Sequence, residues 1–335
     1  MSEQQTWRQP TFAEALDVSS KFARRQRLRR QLHMLYAFVA VLVLAALAVA
    51  GFPYVLQWHS SQVTARTSDL AERRVAGWPR SRTERALAEA RAYNRRLAAS
   101  KQSMLGEAED PFSDASGGSH ASGKDSLSQK DGEYQSLLDT GDGVMGTVRI
   151  PKISVKLPIY HGTSESVLAS GAGHLYGTSL PVGGASTHAV LTGHRGLVEA
   201  AMFTRLDEMR KGDFFYIEVM GKTLGYEVDR IEVILPSNTS RLRVVKGEDR
   251  VTLMTCTPYG VNTHRLLVSG HRVSIPQPAP DPDTMHDAKT MAVDAFAAVM
   301  MPGLLLVFAW RRRNAPRPRI MHHATVHLSS MKHMR

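Results

Sequence analysis

Val251-Thr252-Leu253-Met254-Thr255-Cys256-Thr257-Pro258-Tyr259-Gly260 decides how the rest of the chain is read. The first half is a short apolar, β-branched run, and the second half is turn chemistry, so a strand ends and a loop begins at Cys256. A thiol there sits at the rim of a sheet, aimed by a rigid strand and reached through a loop, which suits a nucleophile. An ordinary small buried residue is the plainer use of a free cysteine. Working outward, Thr147–Ile150, Ser154–Tyr160, His188–Thr192, Phe214–Val219, Thr223–Leu235 and Arg265–Val273 repeat the same texture between turns such as Pro181-Val182-Gly183-Gly184 and Lys211-Gly212-Asp213. Roughly eight short strands over about 130 residues predict a mainly β barrel or sandwich. Glu199–Met209 is the best helix candidate inside it.

Cys256 is the only cysteine of the 335-residue chain, which excludes an internal disulfide framework and multi-cysteine metal sites. A thiol near pKa ~8.5 needs a base or cation nearby to act as a nucleophile. His194, in Leu191-Thr192-Gly193-His194-Arg195-Gly196, follows another β-branched run. Arg265 opens a strand nine residues after Cys256, a separation that fits strand, short loop and neighbouring strand. His264 and His271 compete with His194 for the role of base, and spacing alone leaves the choice open. His264 points to the opposite face from Arg265 if both lie in a strand. No HxH or HxxxH pair marks a metal site in this region.

The formal net charge of +11 comes from 42 Lys+Arg and 31 Asp+Glu. Residues 1–33 contribute +4 and residues 311–335 contribute +7, so residues 34–310 are neutral. The middle therefore has no cationic excess for a phosphate backbone, and no nucleic acid is expected as a partner. The charge marks topology instead. Met34–Leu56 is 23 uncharged residues behind Arg24-Arg25-Gln26-Arg27-Leu28-Arg29-Arg30. That predicts an uncleaved membrane anchor with a cytoplasmic N-terminus. Bulky Gly51-Phe52-Pro53-Tyr54 argues against a signal-peptide cleavage site.

A second run, Ala295–Trp310, is shorter and is broken by Pro302-Gly303, but Arg311-Arg312-Arg313 closes it. A core or interfacial helix is the alternative for it. The expected layout is a basic tail (1–33), a transmembrane helix (34–56), an extracytoplasmic helical region (57–105), a flexible segment (106–133), the β-domain (134–276), a linker (277–290), a second transmembrane helix (291–310) and a basic tail (311–335). In the helical region, Ser81-Arg82-Thr83-Glu84 has the form of a capping box. Ala86, Ala90, Tyr93 and Leu97 make a thin apolar stripe expected to dock on the chain's own β-domain.

With these residues in view, the chain resembles the class C, pilin-polymerising sortases of Gram-positive bacteria. The resemblance rests on Ile150-Pro151-Lys152-Ile153, on Leu157–Thr163, on Gly177-Thr178-Ser179-Leu180-Pro181-Val182-Gly183-Gly184, on Leu191–Gly196 and on Thr255–Val268, in family order through residues ~144–275. Asp110-Pro111-Phe112 resembles the family's lid, an Asp-Pro-aromatic segment that plugs the active site. The resemblance implies a closed barrel of about eight strands. It also implies a nucleophile at Cys256, a general acid/base at His194 and an oxyanion-stabilising cation at Arg265, with no cofactor. The implied reaction cleaves a Leu-Pro-x-Thr-Gly-like sorting signal between Thr and Gly and passes the Thr to a pilin lysine. The implied partners are pilin subunits and the lipid bilayer, with the catalytic domain outside and both termini cytoplasmic. A housekeeping sortase that loads cell-wall precursor and a non-catalytic peptide-binding scaffold are the competing readings.

Overall fold

A computed structural model describes residues 11–12, 19–100, 127–197 and 199–275, with the single positions Gly303, Phe308 and Arg313. The chain divides into two units, Met1–Met285 and His286–Arg335, and the described strands all belong to the first. Asp110-Pro111-Phe112 and the rest of the second apolar run lie outside the described residues.

Eight strands close into a barrel: β1 (Val144–Ile150), β2 (Val155–His161), β3 (Ala172–His174), β4 (Thr187–Thr192), β5 (Phe214–Val219), β6 (Lys222–Ile234), β7 (Asp249–Thr257) and β8 (His264–Val273). Their order around the barrel is β1-β2-β3-β4-β7-β8-β6-β5. Closure leaves no unpaired edge. β2 and β3 pair in parallel, as do β4 and β7, and the other neighbours are antiparallel. The seven β-branched runs become seven of the strands. The eighth, β3, is only Ala172–His174, too short for its alternation to stand out.

Met145, Val148, Ile150, Ile159, Phe215, Ile217, Tyr226, Leu253 and Val268 form the core. Phe215 and Tyr226 stack at 5.6 Å between ring centroids. Leu175, Val190, Ile234, Leu242, Met254 and Leu267 form a second cluster. β7 carries residues of both, Leu253 in the first and Met254 in the second, as alternation along a strand covered on both faces requires.

Among the described residues, two long helices and two short ones precede the barrel. α1 (Ser19–Ala76) is one continuous 58-residue helix with Pro53 inside it. Its apolar section has no buried residue in its most apolar window, and it is the one described helix long and apolar enough to cross a membrane. Its last third is different. Thr64, Ser68, Ala71 and Val75 recur at helical spacing and are buried. Around them, Asp69 and Glu72 reach Lys156 on β2, while Arg149 on β1 lies 3.3 Å from Glu72 and 3.1 Å from Glu218 of β5.

α2 (Arg80–Ala99) docks through Leu87, Ala90, Tyr93, Asn94 and Leu97. The predicted stripe therefore meets the chain's own core, with Ala86 only partly buried and with Leu87 and Asn94 added; the Asn94 amide donates to Leu180 O at 3.0 Å and accepts from Leu180 N at 2.8 Å. The capping box does not form. Pro79 is the N-cap and its carbonyl already accepts from Arg82 N, so the helix is entered one residue ahead of Ser81.

Leu127–Lys130 (α3) and Gly132–Ser136 (α4) are short helices, the second capped by Asp131 accepting from Tyr134 N. Tyr134 is fully buried. Its hydroxyl lies 2.8 Å from His174 Nδ1 and accepts from Gly162 N at 3.0 Å, which staples this segment to β2 and β3. α5 (Glu165–Ser170) connects β2 to β3. Glu199–Met209 is not an α-helix. Met202 has φ +38°, Phe203 N donates to His194 O, and only Leu206–Glu208 makes a 3₁₀ turn. Burial of Ala200, Met202, Phe203, Leu206 and Met209 on the core outweighs the helical propensity of the stretch.

Candidate active site

Barrel order brings the site together. β7 lies between β4 and β8. β4 runs parallel to it with Thr192 opposite Met254, and β8 runs antiparallel with Cys256 opposite Arg265. The ends of β4 and β7 and the start of β8 therefore meet at one rim. Gly193 N donates to Met254 O at 3.1 Å, and Thr255 Oγ1 donates to Gly193 O at 2.7 Å. These bonds carry the β4–β7 pairing past the strand end and bring His194 level with Cys256. Three residues from three sequence segments thus share one end of the barrel.

All three are buried: Cys256 is 3% exposed, Arg265 2% and His194 6%. Leu168 of α5 packs with Cys256 as a small separate cluster. Arg265 Nη1 donates to the carbonyls of Asn262 (2.8 Å) and His264 (2.9 Å), so the guanidinium braces the turn that follows the thiol. That turn is closed by Val261 N and Asn262 N on Pro258 O, and the Thr257–Pro258 peptide is cis. Its outer face presents exposed Tyr259 and Val261.

The competing histidines go elsewhere. His264 bonds Thr263 Oγ1 through Nδ1 at 2.9 Å and takes the face of β8 opposite Arg265. His271 is level with Arg250, six residues back along β7, or roughly 20 Å away at ~3.3 Å per residue. It faces Asp229 there at 3.5 Å.

Gly193 is required by a close approach. A Cβ on it would lie 2.7 Å from the buried Phe203 ring, which sits directly under the residue before His194.

Sequence reasoning did not single out Arg195 or Glu165. Arg195 Nη1 donates to Thr257 Oγ1 at 3.0 Å and lies 3.5 Å from Cys256 O, while Nη2 meets Asp207 at 2.6 Å. Its guanidinium also faces the Tyr259 ring, 6.0 Å from the centroid. It ties the β4 end to the loop after Cys256. Its place next to His194 was the available signal. Glu165 Oε1 lies 3.3 Å from His194 Nε2. Nothing in its sequence context announces that contact, because it depends on the β2–β3 connection folding over the rim.

A thiol, an imidazole and a guanidinium gathered at one covered rim can perform acyl transfer: attack on a carbonyl, proton delivery to the leaving group, and stabilisation of the oxygen's developing charge.

Comparison with known proteins agrees with this chemistry. Residues 148–273 match the model of the sortase domain. Sortase C-1 of Actinomyces oris is 46% identical, with a TM-score of 0.51 and coverage of 58% of this chain and 99% of that one. The pilus-related sortase C of Group B Streptococcus is 42% identical, with a TM-score of 0.53 and coverage of 61% and 95%. Sortase D of Bacillus subtilis is 29% identical over 154 residues, 45% of this chain and 74% of its own.

Proposed function

This chain belongs to the sortase family of cysteine transpeptidases, and we propose that it is a membrane-anchored pilin polymerase in which Cys256, His194 and Arg265 carry the reaction. The observation that carries the proposal is the strand register that sets Cys256 opposite Arg265 and leads β4 to His194 at the same level. The pilin assignment draws its support from the sortase C neighbours at 46% and 42% identity.

In this reading the Cys256 thiolate attacks the Thr carbonyl of a Leu-Pro-x-Thr-Gly-like signal. Arg265 then turns its donors to the oxyanion, an interaction typically worth a few kcal/mol. His194, as imidazolium, gives its proton to the departing Gly amine. The thioester keeps the acyl group activated until a pilin lysine amine attacks it and closes an isopeptide bond. Burial of the thiol serves this step by keeping water from the intermediate. Asp110, Pro111 and Phe112, which resemble the family's lid, are assigned to cover the site.

The apolar, uncovered section of α1 crosses the bilayer behind its arginine cluster, with the N-terminus cytoplasmic. Residues 291–310 form the second span, so both basic tails are inside and the barrel is outside. Anchoring confines enzyme and pilins to one surface and raises their effective concentration.

The test incubates the full chain in detergent micelles with a purified pilin bearing such a signal and its acceptor lysine. A ladder of SDS-resistant polymers is expected, and Cys256→Ala should abolish it. Cleavage of the signal without any ladder would overturn the polymerase assignment.

A further inference from the structure

The catalytic reading uses His194 as a proton carrier but does not say what holds the ring. Imidazole carries two nitrogens, and a ring that shuttles a proton through one must be oriented through the other. His194 Nε2 lies 3.3 Å from Glu165 Oε1, an ion-pair approach outside hydrogen-bond geometry in this resting state. The histidine side chain is only 8% exposed and the carboxylate 55%, so the pair has one end buried and one end at the surface. Glu165 is the first residue of α5, and the same helix supplies Leu168 against Cys256. One short helix thus presents an apolar side chain to the thiol and a carboxylate to the imidazole.

Arg195, next to His194, is matched by Asp207 at 2.6 Å. Arg265 comes from β8 and donates to Asn262 O and His264 O. Cys256 and Thr257 come from β7. Among the described residues, Glu165 is the carboxylate in contact with His194.

Resting on the assignment of His194 as the proton carrier, we infer that Glu165 is a positioning residue that holds His194 through Nε2, fixing the ring while Nδ1 exchanges the proton. The proton balance is closed. Attack forms the Cys256 sulfur–carbon bond and breaks the Thr–Gly C–N bond, and the Gly nitrogen takes the Nδ1 proton. His194 is left neutral with its remaining proton on Nε2, directed at Glu165. The incoming lysine amine attacks the thioester, the C–S bond breaks, and the amine's proton returns to Nδ1. Glu165 stays a carboxylate throughout. The inference requires this approach to close into a hydrogen bond when substrate orders the rim, as catalytic contacts often do on leaving the resting state.

The experiment uses the full chain in detergent with a quenched peptide containing Leu-Pro-Glu-Thr-Gly. Rates are normalised to folded enzyme by titrating the Cys256 thiol after unfolding-sensitive gel filtration. Glu165→Gln is expected to lower kcat about tenfold with little change in KM, because a half-exposed ion pair contributes only part of the factor that general acid–base catalysis supplies. Glu165→Asp should recover part of the lost kcat. Nitrogen NMR of the neutral ring should report the Nε2–H form in the wild type and a loss of that preference in Glu165→Ala.

Wild-type kcat and ring form in all three variants would overturn the inference. His194→Ala and Cys256→Ala run alongside. If they abolish turnover while the Glu165 variants behave as wild type, only the Glu165 role fails. If they leave turnover intact, the assignment of the site itself fails.

Discussion

Removing one oxygen atom from Tyr134 should destabilise the barrel out of proportion to its size. Tyr134→Phe keeps the ring and its neighbours: His161 edge-on at 5.0 Å, Tyr176 edge-on at 5.0 Å and Tyr93 at 6.4 Å between centroids. It deletes only the hydroxyl that lies 2.8 Å from His174 Nδ1 and accepts from Gly162 N at 3.0 Å. His174 Nε2 faces Ser179 O at 2.8 Å and therefore carries the ring proton, which leaves Nδ1 as the acceptor of the Tyr134 O–H. The variant strands a buried donor on Gly162 and a buried acceptor on His174, each costing roughly 1–3 kcal/mol. The expected loss is about 3 kcal/mol, or about 6–12 °C in Tm for a domain of this size.

Tyr176→Phe is the control. Its hydroxyl donates to Asp131 at 2.8 Å from a half-buried position, where water can replace it, so its loss should cost less than about 1 kcal/mol. The assay is urea and thermal unfolding of the full chain in micelles, followed by tryptophan fluorescence. If Tyr134→Phe lies within about 0.5 kcal/mol of wild type, the hydroxyl is not the staple described above and the reasoning fails.

Three further outcomes are expected. Burial holds His174 and His188 down to about 4, so the native state takes up fewer protons than the unfolded chain between pH 6.5 and 4. Stability then falls as pH drops through that window, by roughly 2 kcal/mol per histidine between pH 7 and 5. Glu218, pushed up to about 7 by burial and by Glu72, works in the opposite sense, so the urea midpoints are best compared in a Glu218→Gln background; a flat profile there would contradict the histidine account. Gly193→Ala should drive a methyl into the Phe203 ring, cost about 1–3 kcal/mol and shift His194 enough to cut turnover, read by melting and peptide cleavage. Wild-type values for both would show that the rim yields freely. Asp110→Ala combined with Phe112→Ala should speed labelling of Cys256 by a thiol reagent, and an unchanged labelling rate would remove the lid.

The strands were legible in the sequence because each β-branched run is bracketed by turn residues, and Phe214–Val219 matches β5 to the residue. The site was legible as candidates. Position at a strand end marked Cys256, His194 and Arg265, but pairing order was needed to separate His194 from His271. What stayed hidden depends on tertiary contacts. Glu199–Met209 has helical composition, yet Phe203 is buried beneath Gly193 and spends its N–H on His194 O. Asn94 bonds both polar groups of the Leu180 backbone, a contact that no local pattern announces. Only the closed barrel brings Glu165 and Arg195 to the thiol's rim.

The central claim is that Cys256 carries the acyl group. Mass spectrometry of the full chain, quenched in acid after mixing with a Leu-Pro-Glu-Thr-Gly peptide, tests it directly. The account predicts a peptide adduct lacking the Gly portion on the Cys256 fragment, released by added amine and absent from Cys256→Ala. An adduct on another residue, or cleavage of the peptide by Cys256→Ala, would contradict it.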